Sequence, residues 1–360
     1  MYFHLYYFRL VFLRLSLLPK ETPLPAVSVL MAARNEADNL PALLPIICHQ
    51  TYPQYEVIIV NDRSTDDTAH ILDNYTVLAD CSYKVIHIKD VPKDINPKKN
   101  ALQVAIAHSQ YEWLLLTDAD CLPANQEWIS HMMRSRKNNE IKIVVGIAPY
   151  LPIPKKEDGI LSQFIQYETF YTALQYTGFA LAGKPYMGIG RNLLYHKSLF
   201  EQVGGFGRFL HTTGGDDDLF INQVATSKNT SVALEGGFVT SKSSETWRTW
   251  YAQKHRHLSV GKHYKMADQL RLGILYFSQG GIWLSFLVSL CYLPTFYAWI
   301  SMMLFCVRSK IIWQDYQKLT KRLNCHVKPL YLRLFDVIFI PYLFIMGFVI
   351  QFNKSIKWKN

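Results

Sequence analysis

Val27-Ser-Val-Leu-Met-Ala-Ala33 runs directly into Arg34-Asn-Glu36, and this junction decides how the chain is read. A continuous apolar run, without alternation, marks a strand buried on both faces. The same pattern recurs at Glu56-Val-Ile-Ile-Val60, which ends in Asn61-Asp62, and at Trp113–Leu116, which runs into Thr117-Asp-Ala-Asp120. Lys84–Ile88 reads as a further strand. Helical spacing falls between them: Leu40, Leu43, Leu44 and Ile47 within Asn35–Cys48, then Asp66–Tyr75 and Asn100–Ser109. Strand alternating with helix predicts right-handed crossovers and a mostly parallel sheet flanked by helices, an α/β fold. Ligands on such sheets bind beyond the carboxyl ends of the strands, where the polar clusters of this chain fall.

Further along, Ile141–Ile147 reads as a fifth strand and Asp158–Ala182 as a long helix. The Gly-rich stretch Tyr186–Asn192, a helix near Lys197–Val203 and the acidic run Gly214–Asp218 follow. Residues 242–271 are polar and basic. From Leu272 to Val307, 36 residues contain no Asp, Glu, Lys or Arg. A bilayer span needs about 20 apolar residues, so this stretch predicts an integral membrane protein, with two short passes broken near Pro294 or a re-entrant hairpin. A last apolar segment runs from Phe335 to Phe352, giving two to three spans. Residues 308–334 read as a loop with seven Lys/Arg against one acid, Asp315, which the positive-inside bias assigns to the cytoplasm. Two passes before that loop put the soluble domain on the same side. Residues 1–18, apolar but interrupted by Arg9 and Arg14, read as an interfacial helix or the remnant of a span. The domain expectation is therefore 1–25 as an apolar or truncated segment, 26–271 as the catalytic domain and 272–360 as the membrane region.

Composition narrows the class. Lys+Arg 38 against Asp+Glu 28 gives +10, with 49% hydrophobic, 14% aromatic and 18% charged residues, which excludes a disordered, collagenous or coiled-coil chain. The positive charge clusters beside the apolar segments, pointing to anionic lipid and not to nucleic acid. Six cysteines without a CxxC pair read as reduced thiols.

Four clusters carry chemistry. In Leu114-Leu-Leu-Thr-Asp-Ala-Asp120, Asp118 and Asp120 stand i, i+2 at a strand end and would share a face. Two hard oxygen donors there suit Mg²⁺ or Mn²⁺, with water and a diphosphate completing the shell. In Val60-Asn-Asp-Arg-Ser-Thr-Asp-Asp-Thr68, helix capping accounts for Ser64 to Thr68 but leaves Asp62 free for a ribose or base. Gly214-Gly-Asp-Asp-Asp218 crowds three carboxylates, and mutual repulsion raises at least one pKa towards that of a general base; the competing reading is a helix N-cap or a calcium-type turn. In Trp250-Tyr-Ala-Gln-Lys-His-Arg-His257, Lys254 and Arg256 could neutralise a leaving diphosphate, or the segment could be an amphipathic helix on anionic lipid. His255, His257 and His263 lack an HExxH or a Cys partner, so no zinc site is expected.

These motifs, in this order, resemble the membrane-bound, inverting family 2 glycosyltransferases of GT-A fold, in the branch of ceramide glucosyltransferases and of cellulose and hyaluronan synthases. The resemblance covers Val27 to about Lys265: AARNE, VNDRSTDDT, KKNAL, DAD, GDDD and a QxxR stretch. It implies Asn35, Glu36 and Asp62 around the nucleoside, with Lys98 or Lys99 near base and phosphates. It also implies Asp118 at the sugar-phosphate and Asp120 on a divalent metal. The general base would be Asp217, with Asp216 beside it. Gln253 and Arg256 match the QxxRW element near the diphosphate, but His257 stands where the family has Trp, which argues against polymer synthesis. Arg191 lies in the stretch where such enzymes carry an acceptor-side loop. The expected function is inverting, metal-dependent transfer from a nucleotide diphosphate sugar, with a preference for UDP, to a hydroxyl of a lipid or lipid-linked acceptor. The expected location is a bacterial cell or inner membrane, with the catalytic domain cytoplasmic. Rival readings are a processive polysaccharide synthase, a sugar nucleotidyltransferase and a non-catalytic membrane scaffold. The nucleotidyltransferase would need a Gly-rich loop where this chain has AARNEADNL.

Overall fold

A computed structural model describes residues 24–75, 81–292 and 294–352. In chain order the elements are β1 (Val27–Ala33), α1 (Leu40–Cys48), β2 (Tyr55–Asp62), α2 (Thr68–Tyr75), β3 (Ser82–Ile88), α3 (Pro97–His108), β4 (Trp113–Leu116), β5 (Cys121–Pro123), α4 (Trp128–Arg134) and β6 (Ile143–Val145). They continue with α5 (Ile160–Leu181), β7 (Leu193–His196), α6 (Lys197–Gln202), α7 (Asp218–Val224), β8 (Thr230–Val232), β9 (Val239–Ser241), α8 (Trp247–Val260), α9 (Met266–Tyr292), α10 (Thr295–Arg322) and α11 (Pro329–Phe352). The chain divides into two compact units. One holds the described residues of Ser16–Leu151 with Phe179–Lys242; the other holds those of Pro152–Gly178 with Ser243–Asn360.

The first unit is built on a seven-stranded sheet of order β3-β2-β1-β4-β7-β6-β8, with β5 and β9 as a separate pair. β1 lies between β2 and β4, parallel to both, and β3 is parallel to β2. All but one residue of β1 are fully buried, because helices cover both faces and each β-branched or aliphatic side chain finds apolar neighbours. The strand order reverses at β1, which opens a crevice between the ends of β1 and β4. β7 is antiparallel to β4 and β6, so the sheet is mostly but not wholly parallel. The expected α/β fold of GT-A type is present. The expected fifth strand shortens to β6, and β5, β7, β8 and β9 were not anticipated: runs of three or four residues are too short to carry a period.

Local chemistry sets the helix starts that matter for the site. Pro97 opens α3, where its missing N–H costs nothing, and the Asn96 side chain accepts from the Lys99 N–H at 3.3 Å. Lys98 and Lys99 stand in the first turn that this cap opens. Asp217 caps α7 by accepting from the Asp218 N–H at 2.7 Å.

In the second unit, α5 offers Phe164, Tyr167 and Tyr171 to Phe335 and Phe339 of α11, with ring centroids 4.7 to 5.5 Å apart along the row. Three helices of this unit, α9, α10 and α11 as far as Val349, are long and apolar enough to cross a membrane. The break at Pro294 separates the first two, as expected. The stretch 308–334 is not the loop read from its charges. It is helical to Arg322 and again from Pro329, because Ile312, Tyr316 and Leu319 bury one face of α10 at helical spacing. Residues 152–178 and 243–271, counted from sequence with the catalytic domain, lie in the unit of the C-terminal helices. The N-terminal apolar segment 1–18 lies outside the described residues.

Candidate active site

Polar residues after β1 and β2 interlock. Asn35 adopts a left-handed φ of 55°, its Oδ1 accepts from the Thr65 N–H at 2.8 Å, and its own N–H donates to Ser64 Oγ at 3.0 Å. Glu36 is buried, with Oε2 accepting from Asn39 Nδ2 at 2.6 Å. Asp66 caps α2, accepting from the Thr68 N–H and from the Ala37 N–H, both at 3.1 Å. Capping therefore consumes Asp66, as read from sequence. Asp62 is instead paired with Arg63 at 2.8 Å and lies 3.9 Å from Arg34, and its carboxylate is fully buried.

The DAD carboxylates converge, but not by strand alternation. β4 ends at Leu116, and Asp118 to Asp120 lie in the turn that leads to β5, closed by the Cys121 N–H donating to the Asp118 carbonyl at 3.1 Å. Pairing of β5 with β9 fixes the far side of that turn. One carboxylate oxygen each of Asp118 and Asp120 and Cys121 Sγ lie within 4.8 Å of one another. Burial, then the charges of Asp120 and Asp118, push the Cys121 thiol well above its ordinary pKa, and it donates to Asp120 Oδ1 at 3.4 Å. A protonated soft donor does not suit a hard cation, so the donor set fitting a divalent ion is Asp118 and Asp120. Arg191 is steered towards this turn: Nη1 donates to Ser241 Oγ at 2.5 Å, and its guanidinium lies 4.1 Å over the Tyr150 ring.

The third cluster joins the second through Lys98. Its ammonium lies 2.9 Å from Asp118 Oδ1 and 3.0 Å from Asp216 Oδ2. Burial disfavours the Lys98 charge, but Asp118, Asp216 and Asp217 outweigh it and hold the pKa well above that of an ordinary lysine. Burial also works against Asp216, where Lys98 prevails and lowers the pKa. Asp217 goes the other way, raised by burial and then by the charge of Asp216. Its Oδ2 accepts from the Gly190 N–H at 2.6 Å and its Oδ1 from the Asp218 N–H, so the side chain is fixed at both oxygens. The N-cap reading of this run and a raised pKa thus hold for the same residue.

Some expected residues are committed elsewhere. Lys99 is 0% exposed and gives its ammonium to the carbonyls of Phe209 and Thr212, the latter at 2.8 Å. It therefore pins the segment before the carboxylate run, with two of its three N–H donors committed to backbone carbonyls and its side chain buried away from solvent. Lys254 is paired with Glu168 at 2.8 Å, a carboxylate also bonded by Trp250 Nε1 at 3.2 Å and by the Tyr342 hydroxyl at 2.9 Å. Its charge is already neutralised within the second unit. Gln253, Arg256 and His257 lie on α8 of that unit, with Gln253 Oε1 accepting from Ser244 Oγ at 3.3 Å.

Sequence reasoning missed Gly190, whose N–H holds Asp217, and Asn192, which is fully buried. Asn192 accepts from Trp128 Nε1 at 3.0 Å and donates to the carbonyls of Ile147 and Gly237. The available signal was the Gly-x-Gly of Tyr186–Asn192: a Cβ at Gly190 would stand 3.2 Å from Asp217 Oδ2.

The strand ends of this mostly parallel, GT-A-type sheet gather two carboxylates able to hold a divalent ion, a lysine and an aspartate of raised pKa, the arrangement expected of a nucleotide-sugar transferase. Comparison with known proteins agrees. Residues 28–204 match the glycosyl transferase family 2 model. The chain is 28% identical over 181 residues to the poly-β-1,6-N-acetyl-D-glucosamine synthase of Staphylococcus epidermidis, which covers 49% of this chain and 41% of that one. It is 36% identical over 104 residues to the β-monoglucosyldiacylglycerol synthase of a Nostoc species, 28% of this chain and 22% of that one. The chain thus spans less than half the length of either relative. The solved structure of the mannosyltransferase PcManGT from Pyrobaculum calidifontis, in complex with GDP-Man and Mn²⁺, superposes with a TM-score of 0.59 over 93% of this chain and 94% of that one at 16% identity, a likeness of fold. Residues 28–204 form a family 2 glycosyltransferase domain, and helices long and apolar enough to cross a membrane lie C-terminal to it. The scaffold and nucleotidyltransferase readings give way to the enzyme.

Proposed function

We propose that this enzyme transfers one sugar, with inversion, from a UDP-sugar to a hydroxyl of a lipid or lipid-linked acceptor at the surface of a bacterial cell membrane. The observation that carries the reading is the Lys98 bridge, which joins the carboxylates of Asp118 and Asp216 within one compact unit. Asp118 and Asp120 would hold a Mg²⁺ or Mn²⁺ ion, which when bound supplies charge stabilisation to the leaving diphosphate. Lys98 adds a fixed positive charge beside the same group. Asp217, fixed by two backbone N–H groups, takes the proton of the acceptor hydroxyl, whose oxygen attacks the anomeric carbon from the face opposite the diphosphate. Asn35, Glu36 and Asp62 line the nucleoside side, and Gln253, Arg256, His257 and Arg191 are proposed for the diphosphate and acceptor.

The lipid acceptor is supported by the apolar helices that follow within a few residues of α8, and by the name of the Nostoc relative. The excess of Lys and Arg between 308 and 334 supports a cytoplasmic catalytic unit. Processive polymer synthesis is the second reading, favoured by the name of the staphylococcal relative; His257 in place of Trp favours single transfer. The test is release of nucleotide diphosphate by the purified protein in nanodiscs, with Mn²⁺ or Mg²⁺ and a panel of nucleotide sugars. Release with one UDP-sugar, lost in Asp120→Ala, supports the reading. Release with GDP-sugars alone, or undiminished in chelator, overturns the donor or the metal assignment respectively.

A further inference from the structure

Asn61 and His87 are register partners on the parallel strands β2 and β3, one residue before Asp62, the carboxylate proposed for the nucleoside. Asn61 is 4% exposed, and both ends of its amide are committed. The Ser64 N–H, which can only donate, lies 3.3 Å from Asn61 Oδ1, so the Nδ2 end of the amide faces His87 Nδ1 at 3.0 Å. An amide N–H needs a lone pair opposite it. His87 is therefore protonated at Nε2, and that nitrogen donates to Asp73 Oδ1 of α2 at 2.9 Å. A carboxylate orients an imidazole, and the imidazole orients a buried amide. What the amide holds is the turn after β2, which its bond to Ser64 closes. Arg63 in that turn has a left-handed φ of 53°, which an L side chain keeps only where its surroundings compel it. The turn folds the Arg63 guanidinium back onto both oxygens of Asp62, at 2.8 and 3.4 Å, and presents Ser64 Oγ to the Asn35 N–H at 3.0 Å. Asn35 is itself left-handed and is held a second time by the Thr65 N–H.

We propose that His87, with Asp73 behind it, is a positioning residue for the nucleotide. It acts through Asn61 and not by contact with the ligand: it fixes the turn Asp62–Ser64, and through Ser64 it fixes Asn35, in the geometry that receives the nucleoside. The inference rests on the nucleotide-sugar reading above and deepens it, by giving the edge strand β3 a part in donor binding. The physical reason is the cost of an unpaired buried donor. Without an acceptor at position 87 the Asn61 Nδ2 end has no partner there, and the amide relieves this by rotating. Rotation withdraws Oδ1 from the Ser64 N–H and frees the turn.

The experiment uses the purified full chain in detergent with Mn²⁺, titrated calorimetrically with UDP, GDP and ADP in turn, and carries the tightest-binding nucleotide forward. His87→Leu, which fills the space without an acceptor, should weaken that nucleotide about 3- to 10-fold, the worth of one hydrogen bond to a buried group. Mn²⁺ affinity, read by paramagnetic resonance, and the midpoint of thermal unfolding should stay at their wild-type values. His87→Asn places an amide oxygen where Nδ1 stood and should recover most of the nucleotide affinity. Wild-type nucleotide affinity in His87→Leu would overturn the positioning role. So would a parallel loss of Mn²⁺ affinity or of thermal stability, or a His87→Asn variant no better than His87→Leu, since each makes the residue a general support of the fold. Binding of none of the three nucleotides by the wild type would overturn the nucleotide-sugar reading itself, and this inference with it.

Discussion

Lys98 Nζ and Asp216 Oδ2 stand 3.0 Å apart, linking the first turn of α3 to a carboxylate run more than a hundred residues later. The same ammonium holds Asp118, so one cation divides its charge between the proposed metal ligands and the proposed base cluster. Replacing it by Lys98→Met should therefore damage both. We expect kcat/KM for the donor to fall roughly 10- to 100-fold, on the order of 1.4 to 2.7 kcal/mol, with Lys98→Arg recovering part of the loss. Equal steady-state constants for Lys98→Met and wild type would remove the bridge from the mechanism.

Asp217→Asn keeps the shape of the cap and loses the basic oxygen. Donor binding should persist while transfer falls by roughly 10² to 10⁴, the range that general-base catalysis supplies. Calorimetric titration with the nucleotide sugar, set beside turnover, separates the two. Turnover close to wild type would move the base elsewhere.

The pH dependence follows from the same pair. Asp217 must be ionised to accept a proton, so activity rises with pH through its pKa and is lost below it. Burial and the charge of Asp216 raise that pKa above the ordinary 3.8. The acid limb of kcat/KM should accordingly lie at higher pH than for an unperturbed aspartate. Asp216→Asn removes the neighbouring charge and should move that limb towards lower pH; a limb that shifts upwards, or stays in place, contradicts the assignment.

Asp120→Ala should abolish metal-dependent donor binding, while Cys121→Ser should leave it within about threefold, because a protonated thiol is a poor partner for a hard cation. Titration of the protein with Mn²⁺, followed by paramagnetic resonance, reads the site without turnover. Loss of Mn²⁺ binding in Cys121→Ser would bring the sulfur into the donor set.

Glu168 satisfies Lys254, Trp250 and Tyr342 together, and its stability role can be measured apart from catalysis. Glu168→Leu leaves a buried ammonium unpaired and should destabilise the second unit by roughly 3 to 5 kcal/mol. The double variant with Lys254→Met should recover much of that loss. Thermal unfolding in detergent, followed through the tryptophans, checks the cycle; additive losses would deny the coupling.

Much of this enzyme was written in its sequence. The runs Val27–Ala33, Glu56–Val60 and Trp113–Leu116 declared a buried parallel sheet, because only a strand covered on both faces tolerates uninterrupted apolar side chains. The polar residues that follow each run marked the edge proposed for the ligand, and the uncharged stretch after Leu272 marked helices long and apolar enough to cross a membrane. Sequence also singled out the carboxylates proposed for the site. It could not assign their partners, since electrostatic pairing depends on distances between segments far apart in the chain. Lys98 and Lys99 are adjacent and alike in sequence; the helix turn sends one ammonium to Asp118 and Asp216 and the other to the Phe209 and Thr212 carbonyls. Asp216 and Asp217 are likewise indistinguishable as letters. Only the folded chain sets Lys98 against the first and the Gly190 N–H against the second, which drives their pKa values apart. Lys254, read from sequence as a cation that could neutralise a leaving diphosphate, is taken by Glu168 because α5 brings a buried carboxylate within 2.8 Å of it. Sequence determined which groups are present and on which edge of the sheet; tertiary contacts decided which charges are spent on each other and which remain for chemistry.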